Sequence, residues 1–446
     1  MNEDRRLRAL RGRLLWFVGD PETSGDAAHR FIGDGLVVIA DGLIKAVGAA
    51  SELLPTLPEG AEIVDHRPNL IMPGFIDAHL HMPQTQVIAS YGAQLMEWLN
   101  KYTFVEEQKL AQQGHPEKLT RFLLDELLAS GTTTAAVYCS VHRQSAEAFF
   151  AESERRNTRM IAGKVMMDRN APAALTDTAE SSYADSKALI ERWHGRGRQL
   201  YAITPRFAVT STPEQLAAAG RLAAEHPDCF VQTHINENQA EISLACQLYP
   251  DADDYAGIYR DYGLLGRKSL MGHCIHMTKH EWRAFAEAGA VAVFCPTSNL
   301  FLGSGLFDWA RAKREGVRVA VATDIGGGTS YSMLRTMAEA YKVLQLQGQS
   351  LSAFAALHAI TRGNAVALGL DHLIGSLEPG READVVVLDP GATRAMAHRL
   401  ETARDLAEEL FALVTLGDER NVAATYVAGE RVGDQPSTPP FLAKSI

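Results

Sequence analysis

The chain has 446 residues, 46% of them apolar and 22% charged, and a net charge of −11. That length holds one large domain with a smaller one, or two or three domains, and the composition is that of a soluble globular protein with a sizeable core. The acidic balance argues against nucleic acid and anionic membranes as partners.

In chain order, Arg5, Arg6, Arg8, Arg11 and Arg13 precede a short apolar stretch at 14–18. The stretch falls short of a signal-peptide core, and no later run is long enough to span a bilayer. Cys139, Cys229, Cys246, Cys274 and Cys295 are odd in number and form no Cys-x-x-Cys pair. They read as reduced thiols, so a cytoplasmic protein is expected. Residues 37–40 and 43–48 flank Asp41-Gly42, a hairpin signal because Asp-Gly supplies the positive φ angles of a tight turn. A strand at 383–389 and a second hairpin at 425–432 follow near the C-terminus. The two ends are therefore expected to form one composite small β domain, residues 1–70 plus 371–446, around a catalytic domain at 71–370.

Between the ends, apolar runs alternate with helical stretches such as 214–226 and 279–288. Eight runs end near His81, Tyr138, Met167, Phe207, His234, Cys274, Pro296 and Asp324. Strand–helix alternation implies a parallel sheet, and eight units in about 260 residues predict an α/β fold of the (β/α)8 TIM-barrel type. The link from run one to run two is roughly 50 residues long, and such an excursion at this face of a barrel reads as a lid.

Chemistry concentrates at the run ends. In Phe75-Ile76-Asp77-Ala78-His79-Leu80-His81 the two histidines are two residues apart, so on a strand they share a face and reach one ion. Run five ends in His234, run six in His273 and run eight in Asp324, and barrel active sites are built at these ends. A single histidine among the 15 in the chain is more often structural than a ligand, by roughly four to one. The joint placement of five metal-type residues on one rim reverses that judgement and suits Zn²⁺, or less exclusively Fe²⁺. Glu237, three residues after His234, is placed to move protons there, although a helix-start glutamate is common. Gln84 offers a donor and an acceptor, Arg206 a rigid fork of donors and Phe207 a flat face, a set that fits a planar polar heterocycle. Run four ends in Arg206-Phe207 rather than in a metal-bridging lysine, and Lys164 lies inside run three, so one metal is expected.

The runs 72–81, His234-Ile235-Asn236-Glu237, Gly272-His273-Cys274 and Ala322-Thr323-Asp324 resemble the mononuclear branch of the amidohydrolase superfamily. The segments 81–84, 97–104, 131–134, 163–168, Thr204-Pro205-Arg206-Phe207, 295–300, 324–328 and 331–334 narrow the resemblance to the bacterial guanine deaminase family. The resemblance implies zinc on His79, His81, His234 and Asp324, and catalytic roles for Glu237 as proton shuttle, His273 as the residue that orients the attacking water, and Asp324. It implies guanine bound by Gln84, Arg206 and Phe207, with His234 and Glu237 beside it, and a homodimer. Asn236 departs from the serine or cysteine frequent at that position.

The expected reaction is hydrolysis of guanine to xanthine and ammonia. Adenine lacks the ring oxygen and is expected to leave Arg206 buried and unpaired, and a site built for one pattern rejects such an analogue by roughly 10⁴-fold. Two alternatives stay open at this point: a deaminase of another aminated heterocycle (a pterin, a triazine or oxidised guanine), and a barrel that has lost catalysis and acts as a scaffold.

Overall fold

A computed structural model describes residues 7–91 and 95–432. Asp41 and Gly42 take φ angles of 58° and 74°, so the turn bends as Asp-Gly turns do, and Ala40 faces Leu43 across it. Ala428 and Gly429, with φ of 47° and 79°, make the same kind of turn between Val422–Val427 and Glu430–Val432. These hairpins belong to one seven-stranded sheet. Its order runs Glu430–Val432, Val422–Val427, Val385–Leu388, Glu62–Pro73, Arg8–Phe17, His29–Ala40 and Leu43–Ala49. The junction between N- and C-terminal segments is the antiparallel pairing of Leu70 with Leu388 and of Pro73 with Val385. Gly74 alone separates that sheet from the first strand of the barrel.

The barrel strands are Phe75–His81, Thr132–Tyr138, Arg159–Gly163, Gln199–Pro205, Phe230–Ile235, Ser269–His273, Val291–Phe294 and Arg318–Val321. Neighbours in sequence pair in parallel from the first to the eighth. Ile76, Ala136, Ile161, Ala202, Phe230, Leu270, Val293 and Ala320, one from each strand, lie in a single buried cluster, the packed interior of a closed barrel. Helices form where sequence supplies both caps and a stripe. Pro213–Glu225 begins on the Thr212 side chain, and Lys279–Ala288 runs from a Thr278/Glu281 capping box to Gly289 in the left-handed region. No helix among the described residues is long and apolar enough to cross a membrane.

Two of the eight expected run ends move. Run three breaks at Lys164, whose ammonium turns aside to Asp177 and to the Val165 carbonyl at 3.1 Å. Run eight leaves the strand after Val321, because Thr323 is captured by Asp77: its backbone N–H reaches Oδ1 at 3.1 Å and its hydroxyl reaches Oδ2. The long link is mostly helical, from Leu95–Trp98 through Phe104–Glu107 to His115–Ala129.

The eighth strand meets the first through side chains as well as backbone. At the rim, Asp324 N–H donates to His79 O at 2.9 Å and His81 N–H to Ile325 O at 2.5 Å. Further along the seam Asn364 donates to Ile76 O at 2.6 Å and to Val321 O at 2.8 Å, and accepts from Val321 N–H at 2.8 Å. Asn364→Leu strands all three backbone groups, and each buried orphan costs about 1–3 kcal/mol. The denaturant midpoint of this variant is expected to fall clearly below that of the wild type; an unchanged midpoint would show that the seam does not depend on Asn364.

Candidate active site

His79 and His81 project from the first strand into one buried cluster with His234 and Asp324. His81 Nε2 lies 3.1 Å from His234 Nε2, and Asp324 Oδ1 lies 3.4 Å from His79 Nε2 and 3.5 Å from His81 Nε2. Four atoms bound tetrahedrally to one zinc at 2.0–2.1 Å are spaced by about 3.3 Å, so these separations fit a shared ion. Both ring nitrogens of His79 are buried without a hydrogen-bond partner, which is costly unless a ligand takes one. His234 Nδ1 lies 2.7 Å from the Arg206 carbonyl, so Nδ1 carries the proton and the Nε2 lone pair faces its neighbours. Burial, then the adjoining histidines and Arg206, hold His81 and His234 well below the ordinary histidine range, which keeps them neutral donors. Burial opposes ionisation of Asp324, but its contacts with His79 and His273 win and lower its carboxyl. The cluster fits a divalent cation. Tyr138 packs beneath three of its rings, 4.5–4.9 Å from those of His79, His81 and His234. Gly272 is needed beside it, since a Cβ there would lie 2.9 Å from His79 Cε1.

His273 and Glu237 stand next to this cluster. His273 Nε2 is 3.4 Å from Glu237 Oε2 and 4.0 Å from Asp324 Oδ2. Burial lowers His273 to about 4, so the ring is neutral. Asn299 Nδ2 sits 3.0 Å from His273 Nδ1. An amide N–H only donates, so Nδ1 accepts, and the ring proton is on Nε2, facing Glu237 and Asp324. Glu237 is pushed well above the carboxylate range by burial and by Glu241 and Asp324, against one hydrogen bond from Ser304 Oγ at 3.0 Å. The rim backbone is strained: Asn236, His273, Cys274 and Asp324 all have φ between 52° and 76° without being glycine.

The remaining expected residues line the same pocket. Gln84, in the turn Met82–Gln84, is buried with Arg206 and Phe207 around a slot shared with Leu95, Trp98 and Leu99 of the long link. The Phe207 ring stands 6.2 Å from that of His234 at an interplanar angle of 66°. One expectation is corrected here. Arg206 is not left unpaired without substrate, because its Nη1 lies 2.9 Å from both carboxylate oxygens of Glu107. Glu107, Asn299, Ser304 and Asp77 were missed in the sequence. Glu107 follows the recognised segment 97–104 by three residues, yet no spacing connects it with Arg206; only the folding of the link does so.

Comparison with known proteins agrees with this geometry. A model of the amidohydrolase family matches residues 70–432. The guanine deaminase of Escherichia coli (strain K12) is 48% identical over 435 residues, 97% of this chain and 99% of its own. A solved structure of E. coli guanine deaminase superposes with a TM-score of 0.93 at 47% identity, covering 96% of this chain and 99% of the other. A guanine deaminase from C. acetobutylicum, solved with guanine bound in its active site, does so with a TM-score of 0.85 at 29% identity, covering 96% and 100%.

Asn299→Asp tests the tautomer. A carboxylate at this position accepts instead of donating, and draws the ring proton to Nδ1. Imidazole ¹⁵N shifts of selectively labelled protein are expected to report Nε2–H for His273 in the wild type and Nδ1–H in the variant. Nδ1–H in the wild type would overturn the assignment.

Proposed function

We propose, because the chain belongs to the amidohydrolase family and sits among its guanine deaminases, that it hydrolyses guanine to xanthine and ammonia, with one zinc ion on His79, His81, His234 and Asp324. Fe²⁺ suits the same donors less exclusively. The observation that carries the reading is the meeting, in one buried pocket, of a cation-shaped donor cluster, a buried Glu237 whose carboxyl is pushed upward, and the Gln84–Arg206–Phe207 set.

Zinc, when bound, lowers the pKa of a coordinated water to about 7 and makes a nucleophile available at neutral pH. The rest falls to the chain. His273 directs its Nε2–H toward the attacking oxygen, and the Asp324 carboxylate accepts from the water. Glu237 gives its proton to the ring nitrogen beside the carbon that bears the amine, as water adds to that carbon. The carboxylate so formed collects the proton lost by the water and passes it to the amine. The C–N bond then breaks and ammonia leaves; the hydroxyl left on that carbon returns its proton to Glu237 as the new ring carbonyl forms, which completes xanthine and restores the acid. A carboxyl raised toward neutrality suits both halves of this exchange. Ser304 holds one Glu237 oxygen at 3.0 Å, which leaves Oε2 on the His273 side. Phe207, Trp98 and Leu99 offer the ring an apolar slot. Arg206 and Gln84 supply donors and an acceptor for its polar edge, so a purine without the ring oxygen forfeits those bonds.

A catalytically dead scaffold is disfavoured because the donor cluster is complete. The homodimer rests on family membership and the cytoplasmic location on the unpaired cysteines, and sedimentation at the mass of one chain would overturn the dimer.

Steady-state rates on guanine, adenine, pterins, triazines and oxidised guanine test the substrate. Guanine is expected to be best, with adenine lower in kcat/KM by roughly 10⁴-fold; another compound far ahead of guanine would refute the assignment. His81→Ala is expected to lose bound metal, measured by elemental analysis, together with turnover, and to keep the wild-type far-UV spectrum. Retained turnover would sink the proposed metal set.

A further inference from the structure

We infer that Glu107 is a positioning residue for substrate recognition: it sets the hydrogen-bond pattern that Arg206 and Gln84 present to the purine, and so ties the long link to specificity. This rests on the guanine deaminase reading above. Glu107 is buried at the end of the Phe104–Glu107 turn and belongs to neither the metal cluster nor the strand ends. Its two oxygens lie 2.9 Å from Arg206 Nη1, and Oε1 is also 2.9 Å from Gln84 Nε2.

Two consequences follow from donor and acceptor chemistry. An ionised carboxylate only accepts, so it forces Gln84 to turn its NH₂ group toward Glu107. The carbonyl end then points the other way, where it accepts from Gly326 N–H at 3.3 Å. Without Glu107 only the longer Gly326 bond holds the carboxamide against its flip. Arg206 is fixed by one arm of its fork, and Phe104 lies against the guanidinium, 5.5 Å from centroid to Cζ. The carboxylate also cancels the cation. Arg206 then reads a ring oxygen through directed N–H groups, and gives no general advantage to anions. Xanthine is more acidic than guanine, so this neutrality also favours product release.

Glu107→Gln keeps size and removes the charge. With guanine, KM is expected to rise at least about tenfold while kcat changes by less than about threefold, the signature of lost binding that is uniform along the reaction path. Selectivity for guanine over 2-aminopurine, which lacks the ring oxygen, is expected to fall. Inhibition by urate, a purine anion, is expected to strengthen, because Arg206 is now uncompensated. Glu107→Asp should recover part of the KM. In an Arg206→Met background, Glu107→Gln should add little, since the two act as one unit. Unchanged KM and selectivity overturn the inference, as do equal losses of kcat on every substrate with a lowered melting midpoint, which mark a structural role. If Glu107→Gln fails to fold, Glu107→Asp carries the same selectivity and urate measurements. Wild-type protein inert toward guanine would instead refute the functional reading itself.

Discussion

Asp77 accepts hydrogen bonds across the seam between the first and eighth barrel strands, and the site depends on that junction. Its Oδ1 takes His79 N–H at 3.2 Å and Thr323 N–H at 3.1 Å, and its Oδ2 takes the Thr323 hydroxyl. The carboxyl is fully buried, and burial lifts it to about 6 against the pull of these bonds. It binds directly to the residue before Asp324 and to the backbone of His79. Two members of the donor cluster, some 245 positions apart in the chain, are thereby brought into register. Asn364 repeats the stitch further along the same seam.

Closing the barrel concentrates titratable groups where water is scarce, and each is accommodated differently. Burial holds His81 and His234 neutral, which leaves their lone pairs free. Burial, with Glu241 and Asp324 nearby, pushes the Glu237 carboxyl upward. Asp324 stays ionised through its contacts with His79 and His273. Arg206 is the exception that cannot discharge, and Glu107 answers it. A buried ion pair of this kind is weak evidence for stability, because desolvation offsets most of the attraction. Its worth is in orientation, where one carboxylate fixes the Arg206 and Gln84 side chains. The left-handed backbone at Asn236, His273, Cys274 and Asp324 has the same logic. Strain of roughly 1–3 kcal/mol per residue persists only because strands and seam over-determine the rim.

Much of this was legible beforehand for reasons of periodicity. Barrel strands buried on both faces read as continuous apolar runs, so all eight stood out, six of them ending close to the expected residue. The Asp-Gly and Ala-Gly turns declare themselves because few residues tolerate positive φ. His79-x-His81, His234, His273, Asp324 and Glu237 are visible for a related reason: a polar residue at the end of an apolar strand has no packing role to explain it. Gln84, Arg206 and Phe207 were visible through chemistry and resemblance, and the fold gathers them in the same pocket.

The supporting residues were not legible. Asp77 lies inside an apolar strand, Asn364 inside a late helix, and Asn299 and Glu107 on segments whose own neighbours explain them well enough. Their partners are remote: Thr323 for Asp77, Ile76 for Asn364, and Arg206, 99 residues away, for Glu107. Local sequence therefore determined the strands, the turns and the chemical types placed at the rim, because these depend on the conformational and hydrophobic preferences of neighbouring residues. Tertiary structure alone decided which carboxylate meets which arginine, which amide sets the tautomer of His273, and how the barrel closes, because a hydrogen bond between distant residues leaves no period in the chain.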